Sequence, residues 1–144
     1  MKIRIKKLHS GAVIPTYAKD GDAGMDLTAV SSELDGHNNI VYSTGLAFEI
    51  PKGYVGLLFP RSSNAKQDLL LSNSVGVLDS GYRGEVLFKY KKVSGEHGIG
   101  LTRYLPGDRI GQIIILPYPE IEFEEVEELS ESERGIGGYG SSGS

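Results

Sequence analysis

Glycine and proline interrupt this chain at short intervals, and that spacing limits its fold more than any other feature. The 144 residues include 20 glycines and 6 prolines, spread along the whole length. Both residues favour turns and weaken the interiors of helices and strands. Many short segments joined by turns are typical of a sandwich or a barrel, so we predict an all-β domain.

The hydrophobic pattern places several strands between these turns. Apolar and polar side chains alternate over residues 2–8 and 45–50, and again over the acidic stretch 121–129, which predicts a strand in each place. The stretch 54–59 also reads as a buried strand. Residues 110–116 are almost all apolar, which predicts a strand buried on both faces.

Composition restricts the classes of function. A length of 144 residues with 39% apolar content suits one globular domain. The net charge of −4 argues against a partner made of long nucleic acid. No apolar run reaches about 18 residues, so we expect no membrane span. Without cysteine there is no disulfide or thiolate zinc site. The N-terminus lacks the apolar core of a signal peptide, so we expect a cytoplasmic protein.

The segment 73–90 predicts a β-hairpin whose tip carries possible chemistry. Asp79, Ser80 and Gly81 are turn-forming residues, and Gly84 is a second conformationally permissive point. A carboxylate at Asp79 and an aromatic ring at Tyr82 could hold a sugar and a planar base. Taken alone, an ordinary surface turn that uses Asp is the commoner outcome.

Three further polar features allow more than one interpretation. Ser62 or Ser63 can cap a short helix, and with Arg61 this start is either an anion site or a capped helix without a ligand. Asp26 is either part of a metal shell or an ion-pair partner, and strand position favours the ion pair. Gln112 interrupts an apolar strand, so its amide either bonds to backbone or faces a ligand.

The C-terminal residues 134–144 combine Arg134 and Tyr139 with glycine and serine. Such a segment is disordered without a ligand, and it is suited to close over a phosphate and an aromatic base. The alternatives are a flexible linker or the remnant of a tag.

Five segments in a fixed order resemble the motif pattern of the trimeric dUTPases, the deoxyuridine triphosphate nucleotidohydrolases. They are AGMDL at 23–27, PRSSNA at 60–65, GVLDSGYRGE at 76–85, GDRIGQ at 107–112 and RGIGGYGSSG at 134–143. The resemblance implies a distorted jelly-roll β-barrel with one short helix over residues 1–133. It also implies a homotrimer with sites at the subunit interfaces. The flexible arm 134–144 would then be exchanged between subunits and close over a neighbour's site.

The resemblance also implies a role for individual residues in nucleoside binding. Asp79 would activate the attacking water, and Tyr82 would pack beneath the deoxyribose. The uracil would be met by Asn73, by the backbone of Val77 and Leu78, and near Leu87.

The phosphate contacts follow from the same resemblance. Arg61, Ser62, Ser63 and Gln112 would hold the phosphates. Asp26 would act through water on a Mg²⁺ ion that the triphosphate itself coordinates. From the arm, Arg134 would close on the γ-phosphate, with Tyr139 and Gly140 over the uracil. Met25, Asn64 and Tyr139 depart from the residues that the family commonly has at these positions.

The activity implied is hydrolysis of dUTP to dUMP and pyrophosphate, which lowers dUTP, supplies dUMP for thymidylate synthesis and limits uracil in DNA. Two other functions are compatible with the fold. A deoxycytidine triphosphate deaminase would need a Glu in the base pocket, and the segment 79–82 with the complete glycine arm fits the hydrolase better. A regulatory binder would use nucleotide occupancy to order the arm for a protein partner that the sequence does not identify.

Overall fold

The computed structural model describes residues 1–93 and 103–138. Within them the chain forms ten strands and one short 3₁₀ helix, which confirms the all-β prediction. The strands are β1 Arg4–Lys7, β2 Met25–Thr28, β3 Ser31–Leu34, β4 Asn39–Ser43, β5 Leu46–Glu49, β6 Tyr54–Phe59, β7 Leu69–Leu71, β8 Gly76–Leu78, β9 Leu87–Lys92 and β10 Arg109–Pro117; the 3₁₀ helix spans Ser62–Lys66.

Two four-stranded antiparallel sheets enclose the core. One has the strand order β2-β10-β6-β8 and the other β3-β4-β9-β7, while β1 and β5 form a separate pair. Leu27, Leu58 and Ile113 enter the core from the first sheet, and Tyr42 and Phe88 enter it from the second. The core therefore lies between the sheets, where each covers the apolar face of the other.

The buried strands predicted from the sequence are present. Strand β6 has the predicted bounds 54–59, and β10 covers 110–116 with every one of those residues buried or half-buried. The stretch 121–129 is not a strand, so that prediction is wrong. Phe123 is 92% exposed and Leu129 is 87% exposed. A strand needs a neighbour for its backbone hydrogen bonds, and the pairings described within this chain provide none there.

The segment 73–90 is not a simple hairpin. Strand β8 pairs with β6, whereas β9 pairs with β4 and β7, so the two arms belong to different sheets. Long-range partners have replaced the local pairing that the turn residues predict. The arms separate beyond the turn, and the space between them is where the candidate site lies.

The 3₁₀ helix begins without a serine cap. Arg61 precedes it in an extended conformation (φ −82°, ψ 157°), and no side chain caps its first turn. Ser63 Oγ instead accepts a hydrogen bond from the Arg61 guanidinium. The predicted capping by Ser62 or Ser63 is therefore wrong, because the hydroxyl has a stronger, charged donor nearby.

No helix in the described ranges, 1–93 and 103–138, is long and apolar enough to cross a membrane.

Candidate active site

A cavity of about 240 Å³ lies between β8 and β9, and we refer to it as the β8–β9 cavity. It is lined by Leu58, Asn73, Gly76, Val77, Leu78, Asp79, Tyr82, Glu85, Val86 and Leu87. Six of these residues were predicted for nucleoside binding: Asn73, Val77, Leu78, Asp79, Tyr82 and Leu87. The fold thus gathers residues that are spread over fifteen positions of the sequence.

Main-chain groups border this cavity on two sides. Strand β8 is the outer strand of its sheet and pairs only with β6 among the described strands. In β9, Leu87 pairs with Ser43 of β4, while the described pairing with β7 begins further along, at Tyr90. Backbone edges that lack a strand partner offer donors and acceptors in fixed positions, which is what recognition of a planar base needs.

The turn after β8 holds an aromatic ring next to the candidate acid. The backbone N–H of Tyr82 donates to the carbonyl of Asp79 at 3.0 Å, and the Tyr82 hydroxyl donates to the carbonyl of Glu85 at 3.0 Å. The ring lies so close to Gly84 that a Cβ there would overlap it. Gly84 is thus required for this close approach rather than for a positive φ, which it does not adopt.

A second cluster, which we call the arginine group, consists of Asp26, Arg61, Ser63 and Arg109. Arg61 Nε donates to Asp26 Oδ1 at 2.7 Å, and Arg61 Nη1 donates to Ser63 Oγ at 3.0 Å. Arg109 Nη1 donates to Asp26 Oδ2 at 3.1 Å. Both oxygens of the carboxylate are thus held by guanidinium groups, which confirms the ion-pair interpretation of Asp26.

Arg109 was not identified from the sequence. It stands at the start of β10, next to β2, and the register of those two strands is irregular between Arg109 and Gly111. The available signal was the arginine in GDRIGQ, but its partner depends on a pairing between residues 83 positions apart.

Gln112 is tied to the segment that leads into the 3₁₀ helix. Its Nε2 donates to the carbonyl of Pro60 at 2.9 Å. Of the two alternatives for this amide, a bond to backbone or a contact with a ligand, the structure therefore shows the bond to backbone. A Cβ at Gly24 would overlap Gln112 Oε1, so a larger residue there would make the amide shift. Ser62, also predicted for phosphate binding, is exposed next to this segment.

Tyr104, whose hydroxyl contacts Asn64 of the 3₁₀ helix, belongs to a buried cluster of three tyrosines that the sequence analysis did not identify. Tyr42, Tyr90 and Tyr104 pack edge-to-face or tilted, with ring centroids 5.7 to 6.0 Å apart. Burial raises the pKa of Tyr42 to about 12 and raises that of Tyr90 further. Burial also raises the pKa of Tyr104, although the charge of Arg61 and a hydrogen bond with Ser63 act in the opposite direction.

The two clusters are far apart within one chain. Asp26 pairs with Gln112, and Gln112 with Phe59, so Asp26 lies on the same row of its sheet as Phe59. Leu78 pairs with Gly56, three residues further along β6. Strand spacings of ~4.8 Å and residue steps of ~3.3 Å place the Cα atoms of Asp26 and Leu78 about 17 Å apart.

The arm contributes only local contacts to the described structure. Arg134 is exposed, and its Nε donates to the carbonyl of Gly137 at 2.9 Å. No described contact links it to either cluster. Tyr139 and Gly140, which were predicted to lie over a base, are outside the described residues.

The charged groups fit a metal that is held mainly by its ligand. In the ranges 1–93 and 103–138, no three His, Asp or Glu side chains come together as a metal site. One carboxylate, Asp26, stands beside two arginines and is 26% exposed. Mg²⁺ commonly keeps several waters and uses one or two carboxylates together with substrate phosphates, so a water-mediated role for Asp26 is compatible with this donor set.

These features define an all-β protein with a cavity between two strand edges and a separate cluster of charged side chains. The dUTPase family model matches residues 10–143. The deoxyuridine 5'-triphosphate nucleotidohydrolase of Corynebacterium glutamicum is 42% identical, over 98% of this chain and 94% of that protein. The one from Nautilia profundicola is 40% identical, over 99% of each. The chain therefore belongs to the dUTPase family, and we class it as an enzyme, a dUTP diphosphatase.

Solved structures agree with this assignment. A dUTPase of Staphylococcus bacteriophage 80alpha, determined with dUpNHpp, has a TM-score of 0.85 and 30% identity and covers 99% of each chain. A dUTPase from phage phi11 of S. aureus, described with a structural Mg(II) ion, has a TM-score of 0.74 and 26% identity over 89% of this chain and 98% of that one.

Proposed function

We propose that this chain hydrolyses dUTP to dUMP and pyrophosphate, with Asp79 as the base and with each site built from more than one copy of the chain. The observation that carries the proposal is the β8–β9 cavity, which gathers Asp79, Tyr82 and two backbone edges around a space suited to a nucleoside. The family assignment supports the reaction, and the geometry supports the roles of the residues.

The base pocket accounts for selection of uracil. Backbone groups near Val77, Leu78 and Leu87 stand where a base edge would enter, and Asn73 adds a side-chain amide at the rim. Cytosine presents a donor where uracil presents an acceptor, so cytosine would leave buried groups without partners. A site that hydrogen-bonds its substrate rejects such an analogue strongly.

The turn accounts for selection of the sugar and for the chemistry. Tyr82, fixed over Gly84, would lie beneath the deoxyribose and leave no room for a 2′-hydroxyl. The carboxylate of Asp79 would take a proton from a water placed in line with the α-phosphate and the leaving pyrophosphate. Its exposed position at the mouth of the cavity leaves space for that water.

The arginine group would stabilise the charge on the phosphates. Arg61 and Ser63 provide donors, Ser62 lies beside them, and Gln112 holds the approach segment at Pro60. Arg134, together with Tyr139 and Gly140, would complete the site when the arm 134–144 closes. Bound Mg²⁺ would neutralise phosphate charge, with Asp26 in contact through water.

The separation of the two clusters supports a homotrimer with shared sites. Stabilisation of a developing charge needs donors ~3 Å from it, yet within one chain the Cα atoms of Asp26 in the arginine group and of Leu78 at the cavity are about 17 Å apart. A triphosphate bound at the β8–β9 cavity of one copy would therefore meet Arg61 of another. In this proposal residues 1–133 form the barrel, the arm is exchanged between subunits, and the enzyme acts on free nucleotide in the cytoplasm.

Pyrophosphate release from dUTP, dCTP, dTTP and UTP, each with and without Mg²⁺, tests the reaction. We expect release from dUTP alone, with stimulation by Mg²⁺. The Asp79→Asn variant, purified in the same way, controls for contaminating phosphatases. Binding of dUTP without cleavage would contradict the proposal and favour a regulatory role.

A further inference from the structure

The 3₁₀ helix that carries Ser63 is weakly anchored by its own residues. It has no side-chain cap and no buried residue in its five positions, Ser62–Lys66. Its internal bonds are short-range, from the N–H of Asn64 to the carbonyl of Arg61 and from the N–H of Gln67 to the carbonyl of Asn64. The position of Arg61 and Ser63 therefore depends on contacts from outside the helix.

Tyr104 provides such a contact. Its hydroxyl donates to Asn64 Oδ1 at 3.1 Å, while Asn64 Nδ2 donates to the carbonyl of Leu69 at 3.0 Å. Asn64 thus joins the helix to the strand that follows it and to Tyr104. The Tyr104 phenol also interacts with Ser63 and lies in the field of Arg61.

Tyr104 is itself held firmly. It is 4% exposed, and its carbonyl accepts a hydrogen bond from the Tyr42 hydroxyl at 2.9 Å. Its ring packs against Tyr42 and Tyr90. A continuous series of contacts therefore runs from the core through Tyr104 to the helix, then to Arg61 and on to Asp26.

We propose that Tyr104 is a positioning residue for triphosphate binding. Through Asn64 it holds the 3₁₀ helix so that Arg61 and Ser63 meet the phosphates in a fixed geometry. The inference rests on the proposed function, and it predicts a loss that is confined to ligands with a full phosphate chain.

The Tyr104→Phe variant tests this by comparing two ligands. Dissociation constants are measured by calorimetry for dUMP and for the triphosphate analogue dUpNHpp. Because a hydrogen bond that sets the helix position is lost, we expect binding of dUpNHpp to weaken about 5- to 10-fold and binding of dUMP to change less than about twofold. The KM for dUTP should rise with little change in kcat.

Tyr90→Phe is the matched control. It removes a buried hydroxyl from the same cluster, one that donates to the carbonyl of Ile110 at 2.6 Å and makes no described contact with the 3₁₀ helix. If loss of a tyrosine hydroxyl acted only by weakening the core, both variants would shift binding of the two ligands alike. We expect the ratio of the two dissociation constants to stay at its wild-type value in Tyr90→Phe.

A double-mutant cycle isolates the contribution of the bond between Tyr104 and Asn64. Its single variant at Asn64 also tests the bond if Tyr104→Phe folds poorly. Asn64→Leu removes the acceptor without altering the buried cluster and should weaken dUpNHpp in the same selective way. The double variant Asn64→Leu/Tyr104→Phe removes both partners of the bond between Tyr104 and Asn64, so its loss should be smaller than the product of the single losses. Asn64→Leu also removes the bond to the carbonyl of Leu69, but that loss occurs in both the single and the double variant and cancels in the cycle.

Three results would overturn the role of Tyr104: an unchanged dUpNHpp to dUMP ratio in Tyr104→Phe, an equal change in Tyr90→Phe, or multiplicative losses in the cycle. Failure of the proposed function is distinguishable, because wild-type protein would then neither bind dUpNHpp nor cleave dUTP.

Discussion

The β8–β9 cavity and the arginine group are built in different ways. The cavity presents main-chain edges of two strands, whose positions are fixed by pairings across both sheets. The arginine group consists of long side chains that are linked to one another by charged hydrogen bonds. The backbone edges of the cavity are therefore part of the fold, whereas the arginine group depends on individual side chains that a single substitution can remove.

The largest expected effect separates chemistry from binding. Asp79→Asn should lower kcat by about 10³-fold because a general base contributes roughly that factor. Binding of dUpNHpp should stay within about threefold, because the cavity and the arginine group are intact. Single-turnover rates and calorimetry measure the two quantities. Ser80→Ala, on the same turn, is the control and should keep most of its activity; a Asp79→Asn enzyme with near wild-type kcat would exclude Asp79 as the base.

A smaller effect is expected from breaking the arginine group. Arg61→Gln removes a charged donor from the phosphates, so dUpNHpp should bind about 100-fold more weakly, in line with roughly 2–3 kcal/mol for a charged hydrogen bond. Binding of dUMP should change little. Arg4→Gln, which removes an exposed ion pair with Glu49, is the control and should leave both affinities unchanged. Equal losses for the two ligands would show that Arg61 acts on the fold as a whole.

Selection of the sugar should respond to a change beneath the Tyr82 ring. A methyl group in Gly84→Ala would displace the ring, so the preference for dUTP over UTP in kcat/KM should fall about tenfold. Gly81→Ala is the matched control, since no atom lies within 4 Å of its Cβ and its φ is not positive. An unchanged preference in Gly84→Ala would show that Tyr82 does not exclude the 2′-hydroxyl.

The smallest effect concerns stability at high pH and the buried cluster of Tyr42, Tyr90 and Tyr104. Tyr42 has a raised pKa of about 12, whereas in the unfolded chain its phenol titrates near 10. The unfolded state therefore loses its proton first, and stability should fall as the pH rises from about 10 to about 12. Urea midpoints at pH 9 and 11 measure this loss. The loss of stability should be smaller in Tyr42→Phe than in the wild type. It should be unchanged in Tyr17→Phe, the control, because Tyr17 is 57% exposed. An equal loss in the wild type and in both variants would exclude Tyr42 as a cause.

Local signals in the sequence predicted much of the fold and the identity of several site residues. The apolar runs at 54–59 and 110–116 predicted strands correctly, because a strand that is covered on both faces is apolar along its length. The turn residues around Asp79 also predicted a turn there. These features succeeded because the information lies within a few neighbouring residues.

The errors concern partners that are distant in the sequence. The arms of 73–90 pair with β6 and with β4 and β7 rather than with each other, and no turn signal encodes that choice. The stretch 121–129 has the alternation of a strand but no described neighbour in its own chain. Likewise Arg109 and Tyr104 act on Asp26 and Asn64 through pairings that periodicity does not reveal.

Mixing two variants that are each impaired in one group tests the central claim, that each site combines the cavity of one copy with the arginine group of another. Asp79→Asn and Arg61→Gln chains are unfolded together, refolded and assayed for dUTP hydrolysis at a dUTP concentration so low that neither variant alone shows appreciable activity. If sites are shared around a closed trimer, about a quarter of them receive both intact groups, and the mixture should recover about that share of the wild-type rate. If mixed trimers form, as labelled subunits would establish, and no activity returns, both groups act within one chain and the account is wrong.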